Sequence, residues 1–114
     1  MKDIDWIKNS LIAHRGLHSK DKSIPENSML AIKAAMDKNY GIEIDINVLK
    51  DGTVVVFHDP NLERLTGIDK NLGDLNYEDI KDLTILDTKE KIPTLKDVLD
   101  FVDGKVPLLI ELKP

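Results

Sequence analysis

The 114-residue chain contains no cysteine, which excludes disulfide bonds and metal sites built from thiolates. It also has no run of basic residues, and its formal net charge is -5. Proteins whose main partner is nucleic acid need basic patches, so this charge balance argues against nucleic acid as a partner. Small molecules that carry a phosphate group stay possible, because the local charge around a site decides their binding.

Long apolar runs are missing as well. The opening residues, MKDIDWIKNS, contain acidic side chains and no apolar core of signal-peptide length. No stretch approaches the about 20 apolar residues that a membrane-spanning helix needs. We therefore expect a soluble, cytoplasmic protein without stable membrane insertion.

What the sequence does contain is an alternation of strand and helix patterns within the length of one domain. The predicted order is strand, helix, a pair of strands, helix and strand, which is typical of an α/β fold. The predicted elements are strands at 11–14, 42–49, 54–57 and 106–112, and helices within 27–41, 76–83 and 94–104, with a loop at 60–75.

Polar residues mark the expected helix starts. Asn27 or Ser28 can cap the first helix, and Asn76 can cap the short second one. Thr94 and Asp97 resemble a capping box for the third. The predicted apolar face of this third helix comprises Leu95, Val98, Leu99 and Val102.

The dipeptide Asp51-Gly52 predicts a two-residue hairpin turn between the second and third strands. That turn would place Asp45 directly opposite His58, on the same side of the sheet. Glu43 lies two positions from Asp45 and shares that side. Two carboxylates and a histidine would then converge, although a solvated strand face is the alternative for the two acids.

A third acid, Glu111, lies within the otherwise apolar last strand and is followed two positions later by Lys113. Buried acids are costly unless they are paired or bind a metal. Three acids on adjoining strands suit a hard cation with oxygen ligands, Mg²⁺ or Ca²⁺, and do not suit structural zinc. We therefore predict a divalent cation site at Glu43, Asp45 and Glu111.

Two cations and two histidines complete this constellation. Arg15 and Lys113 would flank the metal and favour an anionic group, for which a phosphate diester is the natural candidate. His14 and His58 could divide the proton transfers, since histidine titrates near neutrality. The residues alone thus favour a metal-assisted hydrolase. For His14 the alternative is a strand-end histidine that makes a local hydrogen bond.

Several short motifs together resemble the glycerophosphodiester phosphodiesterase family, over residues 11 to 113. In chain order they are HRG at His14, PEN at Pro25, EID at Glu43, DG at Asp51, HD at His58, IPTL at Ile92 and ELK at Glu111. The resemblance implies a (β/α)₈ TIM barrel with catalytic groups at the C-terminal ends of its strands. It also implies hydrolysis of glycerophosphodiesters to sn-glycerol 3-phosphate and an alcohol.

The resemblance further implies a role for each motif residue. His14 and His58 would be the general acid and base. The metal ligands would be Glu43, Asp45 and Glu111. Residues that contact the phosphate or border the site would be Arg15, Lys113, Glu26 and Asn27. For Asn27 the alternative is a helix cap alone, and Asp59 is interpreted as an orienting or turn residue.

The length of the chain departs from the family pattern, because a TIM barrel typically needs about 250 residues. We expect residues 1–114 to be the N-terminal portion of one such domain, and hence a partial barrel. It could be a fragment, a half that pairs with another copy, or a non-catalytic module that binds metal or assembles as a scaffold. The retained histidines and acids favour the first two.

The substrate class also has an alternative. A related phosphodiesterase that acts on lysophospholipids or sphingolipids would need an apolar groove or a membrane-facing loop. The loops at 18–24 and 61–74 are polar, which favours soluble glycerophosphodiesters.

Overall fold

The computed structural model describes residues 12–16 and 24–112, which form one four-stranded sheet with helices packed against it. The strands are β1 (Ile12–His14), β2 (Gly41–Val48), β3 (Val54–Val56) and β4 (Leu108–Leu112). The helices are α1 (Met29–Asp37), α2 (Glu63–Thr66), α3 (Tyr77–Ile80) and α4 (Leu95–Val102), with a 3₁₀ turn at Leu72–Asp74. No helix within these ranges is long and apolar enough to cross a membrane.

Strand β2 is the centre of the sheet, since each of the other three strands pairs with it. Strands β1 and β4 run parallel to β2, and β3 runs antiparallel. Helix α1 makes the crossover from β1 to β2, as parallel neighbours require. The carboxyl ends of β1, β2 and β4 therefore lie at the same edge, and the predicted α/β order is confirmed.

The turn between β2 and β3 contains three residues rather than the predicted two. The Gly52 N–H donates to the Leu49 carbonyl at 3.0 Å and closes the turn, and Gly52 itself takes a left-handed φ of 88°. The extra residue shifts the pairing by one position, so Asp45 lies opposite Phe57. The Phe57 N–H donates to the Asp45 backbone carbonyl at 2.9 Å. The predicted pairing of Asp45 with His58 is wrong.

Helix α1 begins and ends at polar residues within the predicted limits. Ser28 is the N-cap, because its hydroxyl accepts the Ala31 N–H at 3.1 Å, and Asn27 is left outside the helix. At the other end Asn39 takes a φ of 57°, and the Tyr40 N–H donates back into the last turn at 3.0 Å.

Helix α4 begins with the predicted capping box. The Thr94 hydroxyl accepts the Asp97 N–H at 3.0 Å, and the Asp97 carboxylate accepts the Thr94 N–H at 3.2 Å. Val98 and Val102 are buried against the sheet, four positions apart on one face. Leu99 is 46% exposed, so its predicted place on the apolar face is wrong. It lies outside the buried face that Val98 and Val102 form.

Residues 57–93 form a layer of short helices where we predicted a loop at 60–75 and a helix at 76–83. The loop contains α2 and the 3₁₀ turn, and α3 is only four residues long. Its start is stabilised as expected, because the Asn76 N–H donates to the Asp79 carboxylate at 2.9 Å.

The buried apolar side chains form two hydrophobic clusters, one against the sheet and one beneath residues 57–93. The first, between the sheet and the helices α1 and α4, contains Ala13, Ile32, Ala35, Ile42, Ile44, Val56, Val98, Val102 and Val106. The second, beneath residues 57–93, contains Leu49, Val55, Phe57, Leu62, Leu65, Leu72, Ile80, Ile85 and Ile92. Strand β3 contributes to both, because consecutive side chains of a strand point to opposite faces.

Candidate active site

Three carboxylates meet between β2 and β4. Glu43 and Asp45 lie two positions apart on β2 and share one face, and Asp45 is directly opposite Glu111 on β4. One carboxylate oxygen from each lies within 4.8 Å of those from the other two. Asp45 is fully buried, Glu43 is half-buried and Glu111 is exposed. The parallel register of two strands thus brings together the three acids that we predicted as metal ligands.

The donor set fits a hard divalent cation. Mg²⁺ and Ca²⁺ bind oxygen ligands at about 2.0–2.6 Å, so oxygens at this mutual spacing can share one ion. Carboxylates are the only donors of the cluster, and such a set does not suit structural zinc. These three residues could therefore hold one Mg²⁺ or Ca²⁺ ion.

Asn27 and Arg15 hold the buried Asp45 carboxylate in place. The Asn27 amide donates to Asp45 Oδ2 at 3.2 Å, and its carbonyl oxygen accepts the Asp45 backbone N–H at 3.4 Å. Arg15 Nε lies 3.5 Å from the same Oδ2 atom, and Arg15 Nη1 donates to Glu26 at 3.2 Å. Asn27 therefore contacts a carboxylate of the candidate site, and its alternative role as the helix cap is wrong, because Ser28 is the N-cap.

The backbone at Arg15 and Asn27 takes an uncommon conformation. Both residues have a φ of 56°, in the left-handed region that costs most residues free energy. The Asn27 N–H donates to the Arg15 carbonyl at 2.7 Å and joins the two segments. Gly16 follows at a φ of 76°, and a Cβ atom there would lie 2.8 Å from the Ala31 side chain. The HRG segment consequently packs tightly against α1.

His58 lies after β3 and contacts its own neighbour. Its Nδ1 atom is 2.7 Å from the Asp59 carboxylate, which orients the ring. The buried Asn47 amide donates to the carbonyl oxygens of Phe57 at 2.7 Å and of Asp59 at 3.2 Å. With Asp59 ionised, this contact requires a proton on Nδ1 and leaves Nε2 with a lone pair. Asn47 was not predicted as a site residue from the sequence.

Arg64 on α2 links these segments and was also missed. Its Nη1 and Nη2 atoms donate to both oxygens of Glu26 at 2.8 and 2.9 Å. Its Nε and Nη2 atoms donate to both oxygens of Asp59 at 2.8 and 3.2 Å. A continuous chain of ion pairs therefore runs from Arg15 through Glu26 and Arg64 to Asp59, which in turn contacts His58.

The ion pairs shift the ionisation of these groups. Burial alone raises the pKa of Glu26, but the hydrogen bond from Arg64 and the charges of Arg64 and Arg15 bring it below its usual value. The hydrogen bond from Arg64 likewise lowers the pKa of Asp59, against a smaller opposing effect of burial. The two carboxylates in turn raise the pKa of Arg64, so all three stay charged at neutral pH.

One signal in the sequence could have identified Arg64. The chain has 16 basic residues, and only two of them, Arg15 and Arg64, are arginines. Arginine presents a rigid fork that binds carboxylates through two parallel hydrogen bonds, which lysine cannot do. Both arginines contact carboxylates of the candidate site. The rarity of arginine in a lysine-rich chain could therefore have indicated Arg64.

Two predicted site residues fall partly or wholly outside the described residues. The backbone of His14 belongs to β1 and pairs with Glu43, at the strand end where we expected it. The side chain of His14 and the whole of Lys113 lie outside the description.

Comparisons with known proteins point to one family. A model of the glycerophosphoryl diester phosphodiesterase family matches residues 14–114. A glycerophosphodiester phosphodiesterase of Caldanaerobacter subterraneus is 37% identical over 94% of this chain and 46% of its own length. The solved structure of one from Agrobacterium tumefaciens gives a TM-score of 0.82 at 28% identity, over 92% of this chain and 47% of that one. A phosphodiesterase from Oleispira antarctica, solved with the product sn-glycerol-3-phosphate, gives 0.80 at 30% identity, over 92% and 44%.

The chain therefore spans about half the length of these relatives. Its sheet and helices form part of the TIM barrel that we predicted, and the shared edge of β1, β2 and β4 is where such barrels place their chemistry. With a family model that matches from His14 to Pro114, the chain belongs to the glycerophosphoryl diester phosphodiesterase family.

Proposed function

We propose that this chain carries the metal ligands and the acid–base groups of an enzyme that hydrolyses glycerophosphodiesters to sn-glycerol 3-phosphate and an alcohol. The observation that carries the proposal is the cluster of Glu43, Asp45 and Glu111, with Arg15 beside it. The Oleispira antarctica relative, which holds sn-glycerol-3-phosphate, supports the substrate class.

The three carboxylates would hold one divalent cation, Mg²⁺ or Ca²⁺. When bound, the cation would neutralise the negative charge that develops on the phosphoryl oxygens. The site would be preorganised for the cation, because Asn27 and Arg15 fix the orientation of the buried Asp45 carboxylate.

Arg15 is proposed to bind the phosphate group. Its guanidinium is held by Glu26 on one side and lies near Asp45 on the other, so its position is determined before substrate binds. A fixed positive charge suits the single negative charge of a phosphodiester. We assign Lys113 the second cationic role and Asn27 a place at the border of the site, from the motifs in which they occur.

His58 and His14 are proposed to move the protons. One ring accepts a proton from the substrate glycerol hydroxyl group that attacks phosphorus, and the other donates one to the leaving alkoxide. Water then opens the resulting cyclic phosphate and gives sn-glycerol 3-phosphate. The contact between Asp59 and His58 Nδ1 makes Nε2 the atom of His58 that exchanges the proton. For His14 the support is the HRG motif and its position at the end of β1.

The test is an assay of the purified chain with glycerophosphocholine and either Mg²⁺ or Ca²⁺, in which the release of glycerol 3-phosphate is measured. We expect turnover that a chelator abolishes. Glu43→Gln should remove it, because the substitution removes a ligand charge while keeping the shape. Lys96→Gln is the matched control, since Lys96 is exposed and pairs only with Asp100 on α4 among the ion pairs described.

A calorimetric titration with Ca²⁺ separates binding from chemistry. Binding that Glu43→Gln abolishes, together with turnover, supports the whole proposal. Binding without turnover would overturn the claim that this chain alone is an enzyme and would favour a metal-binding module. A folded protein with neither property would contradict the metal site itself.

A self-assembling scaffold is the second candidate, and the edge of β4 favours it. The apolar side chains Leu109, Ile110 and Leu112 are 42%, 44% and 64% exposed. An exposed apolar edge strand is a template for pairing with a second copy of the chain. Sedimentation should then show a dimer that Ile110→Lys dissociates, and a protein that stays monomeric at high concentration would contradict this candidate.

A further inference from the structure

Arg64 joins two segments that are far apart in the sequence. Glu26 precedes α1 and lies 38 positions before Arg64, whereas Asp59 follows β3. Helix α2, which carries Arg64, is anchored in the second hydrophobic cluster by the buried neighbour Leu65. The guanidinium therefore extends from a packed element to two loops of the candidate site.

The geometry uses most of the hydrogen-bonding capacity of the arginine. Its three nitrogens make four hydrogen bonds of 2.8–3.2 Å, two to each carboxylate. Such paired contacts fix the plane of each carboxylate as well as its distance, which a single point charge does not do. The Glu26 side chain is 8% exposed, so solvent competes little for it, whereas the Asp59 side chain is 22% exposed and its hydrogen bonds with Arg64 are accessible to solvent.

We propose that Arg64 is a positioning residue, which aligns His58 through Asp59 and Arg15 through Glu26. This inference rests on the function proposed above and adds a residue to it. Asp59 Oδ1 accepts from Arg64 and also contacts His58 Nδ1, so the plane that Arg64 imposes decides which ring nitrogen carries the proton. Glu26 Oε2 accepts from Arg64 and from Arg15, and its placement determines where the Arg15 charge lies.

A purely structural tie between α2 and the loops is the competing explanation. In that case the loss of Arg64 would lower stability but would leave the protonation pattern of the His58 ring unchanged. The ring therefore distinguishes the two explanations, because its two nitrogens give different ¹⁵N chemical shifts when protonated and unprotonated.

The experiment is ¹⁵N NMR of the histidine rings in the full chain at alkaline pH, where imidazoles are neutral. The His58 signals are assigned by comparison with a His58→Gln variant. In the parent protein we expect the proton mainly on Nδ1. In Arg64→Gln and in Arg64→Lys we expect a mixture of both tautomers, because lysine restores the charge but not the fork. Asp59→Asn should remove the preference completely.

Lys81→Gln is the matched control, since it removes an exposed ion pair with Glu78 from the same layer. It should leave the ring signals as in the parent protein. Circular dichroism and thermal unfolding show whether each variant is folded. A folded Arg64→Lys variant with the parent tautomer would overturn the proposal, and so would an Asp59→Asn variant with that tautomer.

The kinetic measurement tests the same point where turnover is present. We expect Arg64→Lys to lower kcat by about 10- to 100-fold, the usual cost of losing a residue that orients a catalytic group, with a smaller change in KM. The two proposals fail in different ways. An inactive parent protein whose ring signals still respond to Arg64 contradicts the enzyme and not the positioning role.

Discussion

The two parts of the molecule hold the candidate site by different means. The first part, the barrel sector, comprises the strands β1, β2 and β4 with the helices α1 and α4. The second, the loop layer, comprises residues 57–93. In the barrel sector the backbone register places Asp45 opposite Glu111. The His58 segment is instead placed by side-chain hydrogen bonds, from Arg64 in the loop layer and from Asn47 on β2.

This difference separates the two chemical tasks of the site. The acids that could hold a cation depend on strand pairing, which changes little when one side chain is altered. His58, one of the two histidines proposed to move protons, depends on a few polar contacts and lies in a layer with its own core. Substitutions should therefore affect cation binding and proton transfer separately, according to the part in which they lie.

The largest expected effect comes from a matched pair of core truncations, Ile44→Ala in the barrel sector and Ile85→Ala in the loop layer. Both side chains are fully buried, so each truncation should lower the free energy of unfolding by about 2–5 kcal/mol. Ile44 lies on β2 between Glu43 and Asp45, and its truncation should also weaken Ca²⁺ binding. Ile85→Ala should spare Ca²⁺ binding and alter the NMR signals of His58.

Urea unfolding measures the stability of the two variants, and a calorimetric titration at a temperature where both are folded measures the Ca²⁺ affinity. An equal loss of Ca²⁺ affinity in both variants would show that the two parts act as one unit.

The next effect concerns the segment after β1, which contains Arg15 and Gly16. Gly16→Ala should lower the free energy of unfolding by about 1–3 kcal/mol, because the residue has a φ of 76° and the new Cβ would lie 2.8 Å from the Ala31 side chain. Since Gly16 follows Arg15, turnover should fall as well. Thermal unfolding and the glycerophosphocholine assay measure the two quantities.

Gly52→Ala provides the control for backbone strain. Gly52 has a φ of 88°, but no atom lies within 4 Å of the position of an added Cβ. The substitution should therefore lower the free energy of unfolding by only about 1 kcal/mol and leave turnover unchanged. If the two substitutions cost the same, the close contact between the HRG segment and α1 has no energetic importance.

The helix caps give a smaller contrast between the two parts. Thr94→Ala removes one half of the capping box of α4, and we expect a loss of about 1 kcal/mol. Asp79→Ala removes the acceptor for the Asn76 N–H at the exposed, four-residue helix α3, with an expected loss of about 0.5 kcal/mol. Urea unfolding of both variants decides the order, and a larger loss from Asp79→Ala would reverse the comparison.

The barrel sector was largely predictable from the sequence because its pattern is local. The period-two alternation of β2 predicts that Glu43 and Asp45 share a face, since the backbone fixes that period. The Ser28 cap and the capping box at Thr94 depend on residues within one helical turn. The turn between β2 and β3 was less certain to predict, because an Asp-Gly pair suits both a two-residue turn and a three-residue loop whose glycine is left-handed.

The loop layer was not predictable in the same way. The contact of Arg64 with Glu26 spans 38 positions and follows no period, so no local pattern indicates it. The burial of Ile80 and Ile85 beneath short helices likewise depends on how the whole layer folds back on β3. The shared face of Glu43 and Asp45 was therefore anticipated, whereas the register of the β2–β3 hairpin and the long-range side-chain contacts were not.

The last expected effect is a pH dependence that belongs to the loop layer. The pKa values of Glu26 and Asp59 are both lowered in the folded protein. In Glu26 burial raises the pKa, but Arg64 and Arg15 lower it by more. In Asp59 the hydrogen bond from Arg64 is the largest cause. A carboxyl group with a lowered pKa stabilises the fold above its unfolded pKa, about 4.3 for Glu and 3.9 for Asp, and loses this as the pH falls through the folded pKa. Stability should therefore decline below about pH 5, by no more than about 1 kcal/mol for these pairs, since Arg64 is 47% exposed.

Urea unfolding of the parent protein and of Arg64→Gln at a series of pH values isolates this contribution. Arg64→Gln should be less stable at neutral pH, and the difference between the two proteins should vanish in acid. Asp51, whose pKa is also lowered, receives its hydrogen bonds from the backbone of Tyr77 and Thr53. Its share of the pH dependence should consequently persist in Arg64→Gln. A difference that stays constant down to the acid limit would mean that the ion pairs of Arg64 contribute no stability, and the loop layer would then be held by its apolar core alone.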